Sequence, residues 1–166
     1  MSYVELHCHS NFSLLDGASH PEELLARAKE LGMPALALTD HDGLYGAIRF
    51  YKEARKAGIK PIIGAEITVA GKHHLTLLAR DNKGYSNLCR LISRAQLRHG
   101  KGEPSIERSD LATYNDGLIC LSGCRKGEIA SLLNEGKTSQ AEASAQQLRD
   151  IFGENFLIEL QNNLPG

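Results

Sequence analysis

An α/β fold with a mainly parallel sheet, curved toward a barrel, is what this sequence predicts. Two observations carry that expectation. Apolar runs with strand character alternate with amphipathic stretches through short connections, the pattern of repeated strand–helix units. Histidine and acidic residues then gather at the ends of the apolar runs, and in barrels of this kind the site lies at one rim. Six clear strands in 166 residues fall short of a complete barrel, which typically takes about 250 residues. The barrel is therefore expected to be incomplete toward its C-terminal end.

The first strand is read over Tyr3–Leu6, leading directly into His7-Cys8-His9. Ser19-His20-Pro21-Glu22 has the form of a capping box with proline in the first turn, and it opens a helix that stops at Gly32. Ala35–Thr39 is the second strand. A helix from about Tyr45 to Lys56 ends at Gly58, and Pro61–Ile67 is the third strand. Ala70-Gly71-Lys72 reads as a turn into a fourth strand, His74–Ala79. Leu88, Leu91, Ile92 and Ala95 keep helical spacing within a helix over Gly84–Leu97. The polar stretch His99–Pro104 is expected to be a mobile loop. Gly117–Ser122 is the fifth strand, Lys126–Asn134 and Thr138–Ile151 are helical, and Phe156–Leu160 is the last strand. The whole of 1–166 is read as one domain.

Composition narrows the classes of function. Hydrophobic residues make up 42%, as in a globular core, and the net charge is −1, so no excess positive field would draw in nucleic acid. Aromatic residues are 5% with no tryptophan, which argues against a base-stacking platform. No apolar run approaches the roughly 20 residues of a membrane span, and no signal-peptide pattern precedes the first strand. Cys8, Cys89, Cys120 and Cys124 are read as reduced thiols rather than a disulfide framework. A cytoplasmic location is expected.

The chemistry-bearing residues sit where strands end. Residues two apart on a strand face the same way, so His7 and His9 present both imidazoles to one place. Thr39-Asp40-His41 closes the second strand with a carboxylate and an imidazole, Asp40 being a candidate to orient His41. Glu66 lies inside an apolar strand, where an unpaired carboxylate is costly; a metal ion is its simplest partner. Imidazole and carboxylate converging in this way suit zinc, manganese or iron. Asp16 stands in a turn-like Leu15-Asp16-Gly17 and can be a ligand or only a turn former. Of His73 and His74 only one can point inward. Cys124 reads by default as a small buried residue. Arg80, Lys83, Arg94, Arg98, Lys101, Arg125 and Lys126 are read as a solvated charged surface.

Taken together, His7-x-His9, Asp16, Thr39-Asp40-His41 and Gly64-Ala65-Glu66 resemble the PHP (polymerase and histidinol phosphatase) family. The resemblance is to the N-terminal PHP domain of bacterial C-family DNA polymerases, the polymerase III alpha subunits. It extends through Asn11–Ala18, His74–Ala79, Gly84-Tyr85-x-Asn87-Leu88 and Leu121-Ser122-Gly123-Cys124. Ala18–Leu24, Leu88–Ser93 and Cys124–Glu128 look most like the error-prone polymerase.

The resemblance implies a distorted seven-stranded (β/α)7 TIM-like barrel holding up to three divalent ions, zinc or manganese foremost, with iron or magnesium as alternatives. It carries over His7, His9, Asp16, His41, Glu66, His74 and Cys124 as ligands, with His9, Asp16 and Glu66 in the chemistry. The implied reaction is metal-assisted phosphoester hydrolysis, a 3′–5′ proofreading exonuclease in the parent polymerase, whose body and DNA would be the partners. The family completes its site with an Asp-x-His-type motif on a later strand, and the sequence does not contain one. A complete trinuclear centre is therefore not expected, the isolated chain is expected to be inactive, and open strand edges favour self-association. The other readings are a non-catalytic, metal-stabilised structural module and a stand-alone phosphatase of the histidinol-phosphate type.

Overall fold

The computed structural model describes residues 3–161 apart from 71, 99 and 101. Its elements run α1 (Pro21–Glu30), β1 (Ala35–Leu38), α2 (Ala47–Ala57), β2 (Lys60–Val69), β3 (His73–Ala79), α3 (Asn82–Arg98), α4 (Arg108–Tyr114), β4 (Leu118–Leu121), α5 (Glu128–Asn134), α6 (Thr138–Phe152) and β5 (Phe156–Leu157). The strands form one five-stranded sheet in the order β1-β2-β3-β4-β5. Among the described residues the sheet does not close on itself.

The sheet is mixed rather than mainly parallel. β1 pairs parallel with β2 and β4 with β5, but β2–β3 and β3–β4 are antiparallel. A tight turn can only reverse the chain, since a parallel return needs a crossover of a dozen or more residues. Ala70, at φ 50°, makes that reversal between β2 and β3; Gly71 of the predicted turn lies outside the described residues. The reversal has a consequence for function. It brings the N-terminal end of β3, with His74, beside the C-terminal half of β2, with Glu66.

The expected first strand is the second departure. Among the described residues Tyr3–Leu6 makes an isolated parallel bridge, Glu5 to Leu36, in place of a strand. The Glu5 carboxylate accepts the backbone N–H groups of Leu6 and His7 at 3.0 and 3.1 Å, taking donors that a regular ladder would use. The segment still lies along β1, where Ala37 N donates to Glu5 O and the following Thr39 N donates to Cys8 O. Helix α4 has no signature in the sequence, because seven residues are too few to show helical periodicity. The α1 cap falls one residue later than read: Glu23, not Glu22, accepts from the backbone of its cap residue, His20, at 2.7 Å. Glu22 is paired with Arg49 instead. The last strand is two residues long rather than five. Of the predicted loop His99–Pro104, His99 and Lys101 lie outside the described residues.

Alternation along the strands divides the core. Ala65, Ile67 and Val69 of β2, Leu75 and Leu77 of β3 and Cys120 of β4 face α3, α4 and α6 and form the largest apolar cluster with Leu88, Leu91, Leu111 and Leu148. Leu36 and Leu38 of β1 pack with Leu25 of α1 and Phe50 of α2. The alternate positions point the other way. There Ala37, Leu78 and Leu121 make a small apolar plug, and Glu66, His74 and Thr76 follow on the same face of their strands. No helix among the described residues is long and apolar enough to cross a membrane.

Candidate metal centre

One rim of the sheet gathers the titratable side chains. His7 and His9 arrive on the segment beside β1, and His41 follows β1, where it bridges to Glu66. Glu66 comes from β2 and His74 from the start of β3. Cys124 follows β4, and Asp16 comes from the loop ahead of α1. All seven of the residues singled out from the sequence line a single open cleft of about 570 Å³, with Arg125, Lys126 and Gln161 on its rim.

Glu66 is the hub. It is 1% exposed, yet His41 Nδ1 and His74 Nδ1 lie 3.0 Å from its oxygens, His9 Nε2 at 3.2 Å and His7 Nε2 at 3.5 Å. The Cys124 thiol donates to Glu66 Oε1 at 3.3 Å. Burial by itself would raise the Glu66 pKa; the close imidazoles of His7, His74 and His9 overcome it and hold the carboxyl well below the usual range. The same pairing acts on the imidazoles. Burial opposes charge on His7, but Glu159 and Glu66 raise it to about 10. Cys124 and then Glu66 raise His74 to about 9.

Asp16 forms a second bridge. Its Oδ2 takes hydrogen bonds from His41 Nε2 at 2.7 Å and His9 Nδ1 at 2.9 Å, and these lower its pKa, His41 most. The loop carrying it is built around Asp40, which is 2% exposed and belongs to none of the clustered ligand sets in the cleft. Asp40 accepts from Ser10 N at 2.7 Å, Ser10 Oγ at 2.8 Å and Ser13 Oγ at 2.7 Å. Ser13 Oγ accepts in turn from His41 N at 3.1 Å. Asp40 therefore orients the loop and His41 together. Leu15 takes φ 66°, unusual for a branched residue, and this turns the next residue, Asp16, back to the imidazoles. Gly17 closes the loop where a Cβ would sit 2.0 Å from Ser10 O.

Cys124 depends on a similar approach. Gly123 has φ 82°, and a Cβ there would meet His74 O at 2.3 Å. A side chain at 123 would push the turn off β3 and carry the thiol away from Glu66.

Three overlapping triads have ligand atoms within 4.8 Å of one another: His7–His9–Glu66, His9–Asp16–His41 and His41–Glu66–His74. Two buried nitrogens in these triads, His9 Nε2 and His74 Nδ1, lack a well-directed hydrogen bond although each lies close to Glu66. Ring nitrogens left unpaired around a carboxylate are what an ion placed between them would satisfy. The donor set of imidazole, carboxylate and thiol fits a borderline divalent cation.

Other residues fall differently. His73, the neighbour of His74, belongs to none of the triads. All four cysteines are free. Among the basic residues, Arg94 and Arg98 are bound to Asp110 at 2.8 and 2.6 Å and serve the fold; Lys101 lies outside the described residues. Glu159, beyond β5, escaped the sequence reading although it contacts His7 at 2.7 Å. The signal was there: one acid in the apolar run Phe156–Leu160, the same feature that marked Glu66.

Mixed α/β topology and a rim of histidines and carboxylates define a class, and comparison with known proteins agrees with it. Residues 5–163 match the PHP domain, and the chain belongs to that family. It is 48% identical to an error-prone DNA polymerase of Symbiobacterium thermophilum, over 100% of this chain and 17% of that protein. It is 44% identical to the DNA polymerase III subunit alpha of Thermus aquaticus, over 98% of this chain and 15% of that one. The chain thus spans about one-sixth of these curated relatives. The fold is shared with a two-domain protein from Bacteroides vulgatus that contains a predicted PHP-like metal-dependent phosphoesterase (TM-score 0.52, 17% identity, 93% of this chain and 49% of that one). It is shared too with a lesion-specific endonuclease from Pyrococcus furiosus (TM-score 0.51, 16% identity, 91% and 39%).

Proposed function

We propose that this chain serves as the PHP module of an error-prone-type bacterial DNA polymerase, a cytoplasmic enzyme, and that residues 1–166 work as one unit beside a polymerase body. The reading rests on one observation above the others: four imidazoles, two carboxylates and a thiol from six separate segments meet around Glu66. The similarity to polymerase chains about six times longer supplies the setting.

In this reading His7, His9, Asp16, His41, Glu66, His74 and Cys124 hold divalent ions in an arrangement derived from the family's seven-stranded barrel. Bound ions supply activation of water and neutralisation of charge on a phosphoester. The chain's own residues set the conditions. Glu66 keeps a fixed negative charge at the base of the cleft, and Asp16 orients two imidazoles from the solvent side. Arg125 and Lys126 on the rim offer cations to a phosphodiester that the acids would otherwise repel. A 3′–5′ exonuclease of the parent polymerase is the matching activity.

A second reading, a non-catalytic brace, is favoured by the same convergence, because an ion bound here would tie β2 to the ends of β1, β3 and β4. The deciding experiment incubates the metal-loaded chain, alone and joined to a polymerase body, with labelled DNA and with small phosphomonoesters. Release of nucleotides from the DNA 3′ end, lost in Asp16→Asn, supports the exonuclease. Retained metal without hydrolysis, and unfolding on chelation, supports the brace. Turnover of phosphomonoesters alone would point to a stand-alone phosphatase.

A further inference from the structure

Glu159 is a largely buried carboxylate outside every triad of the centre. Its side chain is 9% exposed. Oε1 accepts from His7 Nδ1 at 2.7 Å and from Gln161 Nε2 at 2.8 Å. Oε2 has no hydrogen bond among the described residues. The backbone is held as well: Glu159 N donates to Ser122 Oγ at 2.9 Å, fixing the residue against the end of β4. Burying a carboxylate is costly unless a partner compensates, and among the described residues His7 is its ion-pairing partner.

His7 differs from its neighbours in how its two nitrogens are used. Both ring nitrogens of His9 and of His41 face Asp16 or Glu66, inside the cluster. His7 Nε2 faces Glu66 at 3.5 Å, but Nδ1 faces away, toward Glu159 and Thr76 Oγ1. An imidazole that ligates through one nitrogen is oriented by the hydrogen bond at the other, which also decides where the proton resides.

We propose that Glu159 is a positioning residue: its carboxylate holds His7 with the proton on Nδ1 and the lone pair of Nε2 directed at the Glu66 side of the metal centre. This rests on the metal-holding reading above. It also gives β5 a role in the site, since the segment after that strand carries Glu159 to His7. In this arrangement Glu159 would act on an ion through His7, since it belongs to none of the ligand triads itself.

The test is calorimetric titration of Zn²⁺ and of Mn²⁺ into metal-free wild-type chain, Glu159→Ala, Glu159→Gln, His7→Ala and the Glu159→Ala/His7→Ala double variant. Glu159→Ala should weaken one bound ion by about ten- to a hundred-fold. Glu159→Gln, whose amide oxygen still accepts from Nδ1, should recover most of that loss. The double variant should bind no more weakly than His7→Ala. Unchanged affinity in Glu159→Ala, or losses that add in the double variant, would overturn the proposal while leaving the metal-holding reading intact. A wild-type chain that takes up neither ion would sink that reading itself, and this one with it. Should Glu159→Ala fail to fold, imidazole ¹⁵N shifts of the Zn²⁺-loaded wild type decide: a protonated Nδ1 and a coordinated Nε2 on His7 support the assignment, and the reverse refutes it.

Discussion

Replacing Glu66 by glutamine keeps the shape of the hub and removes its charge, so it isolates what the charge does. In the metal-free chain His7 is raised to about 10 and His74 to about 9, against about 6.5 when unfolded. Their side chains are 7% and 15% exposed, so solvent screens these pairs little. Moving a pKa by one corresponds to about 1.4 kcal/mol, and Glu159 shares the effect on His7 as Cys124 does on His74. Allowing for those shares, the Glu66 charge contributes about 3–5 kcal/mol near pH 6, in the range for breaking a buried pair. The sign follows from linkage. Groups raised on folding stabilise fully below about pH 6.5, and that stability is lost as pH climbs through about 9 to 10. Glu66 itself, lowered on folding, stabilises above about pH 4.5 and stops doing so as it is protonated. Urea unfolding of metal-free wild type and Glu66→Gln at several pH values should therefore show the largest difference between about pH 5 and 6.5, shrinking toward zero near pH 10. A difference below about 1 kcal/mol at pH 6, or one that grows with pH, would rule out a charged hub of this strength.

Three further outcomes follow from the same geometry. Asp40→Ala removes the acceptor of three hydrogen bonds from Ser10 and Ser13; it should cost about 3 kcal/mol or more in urea unfolding and weaken metal binding by displacing Asp16. Gly123→Ala forces φ 82° on a residue with a Cβ and presses it to 2.3 Å from His74 O. That variant should lose about 2 kcal/mol or more of stability and bind metal more weakly, as read by thermal melting with and without Zn²⁺. Chelation of the loaded wild type should lower the melting temperature, and excess ion at about a hundred times its dissociation constant should restore about 2.7 kcal/mol.

Much of the site was legible because its residues broke local rules. Two histidines at strand spacing, and an acid alone in an apolar strand, are costly placements that a shared ligand resolves, and the structure brings all of them to one cleft. Helix ends were legible for a simpler reason: Gly32 and Gly58 adopt positive φ where α1 and α2 stop. What escaped depends on pairing between distant segments. Nothing local says that β3 returns antiparallel to β2. The first strand was lost to a different cause, a local one without a sequence signature: Glu5 commits its carboxylate to the amides of Leu6 and His7. Choosing His74 over His73 needed the family resemblance at the outset. In the structure the register settles which of them meets Glu66, since Thr68 opposes His74 and Glu66 opposes Thr76 on the same face. The clustering of Glu159 with His7 spans 152 positions, and only the folded sheet joins them.

Whether these side chains form a metal centre is decided by the metal content of the purified chain, measured by elemental analysis beside His9→Ala, since His9 is shared by two of the three triads. Divalent metal near whole-number stoichiometry is expected in the wild type, with a clear fall in the variant. Metal-free protein in both cases, after exposure to Zn²⁺ and Mn²⁺, would contradict the assignment.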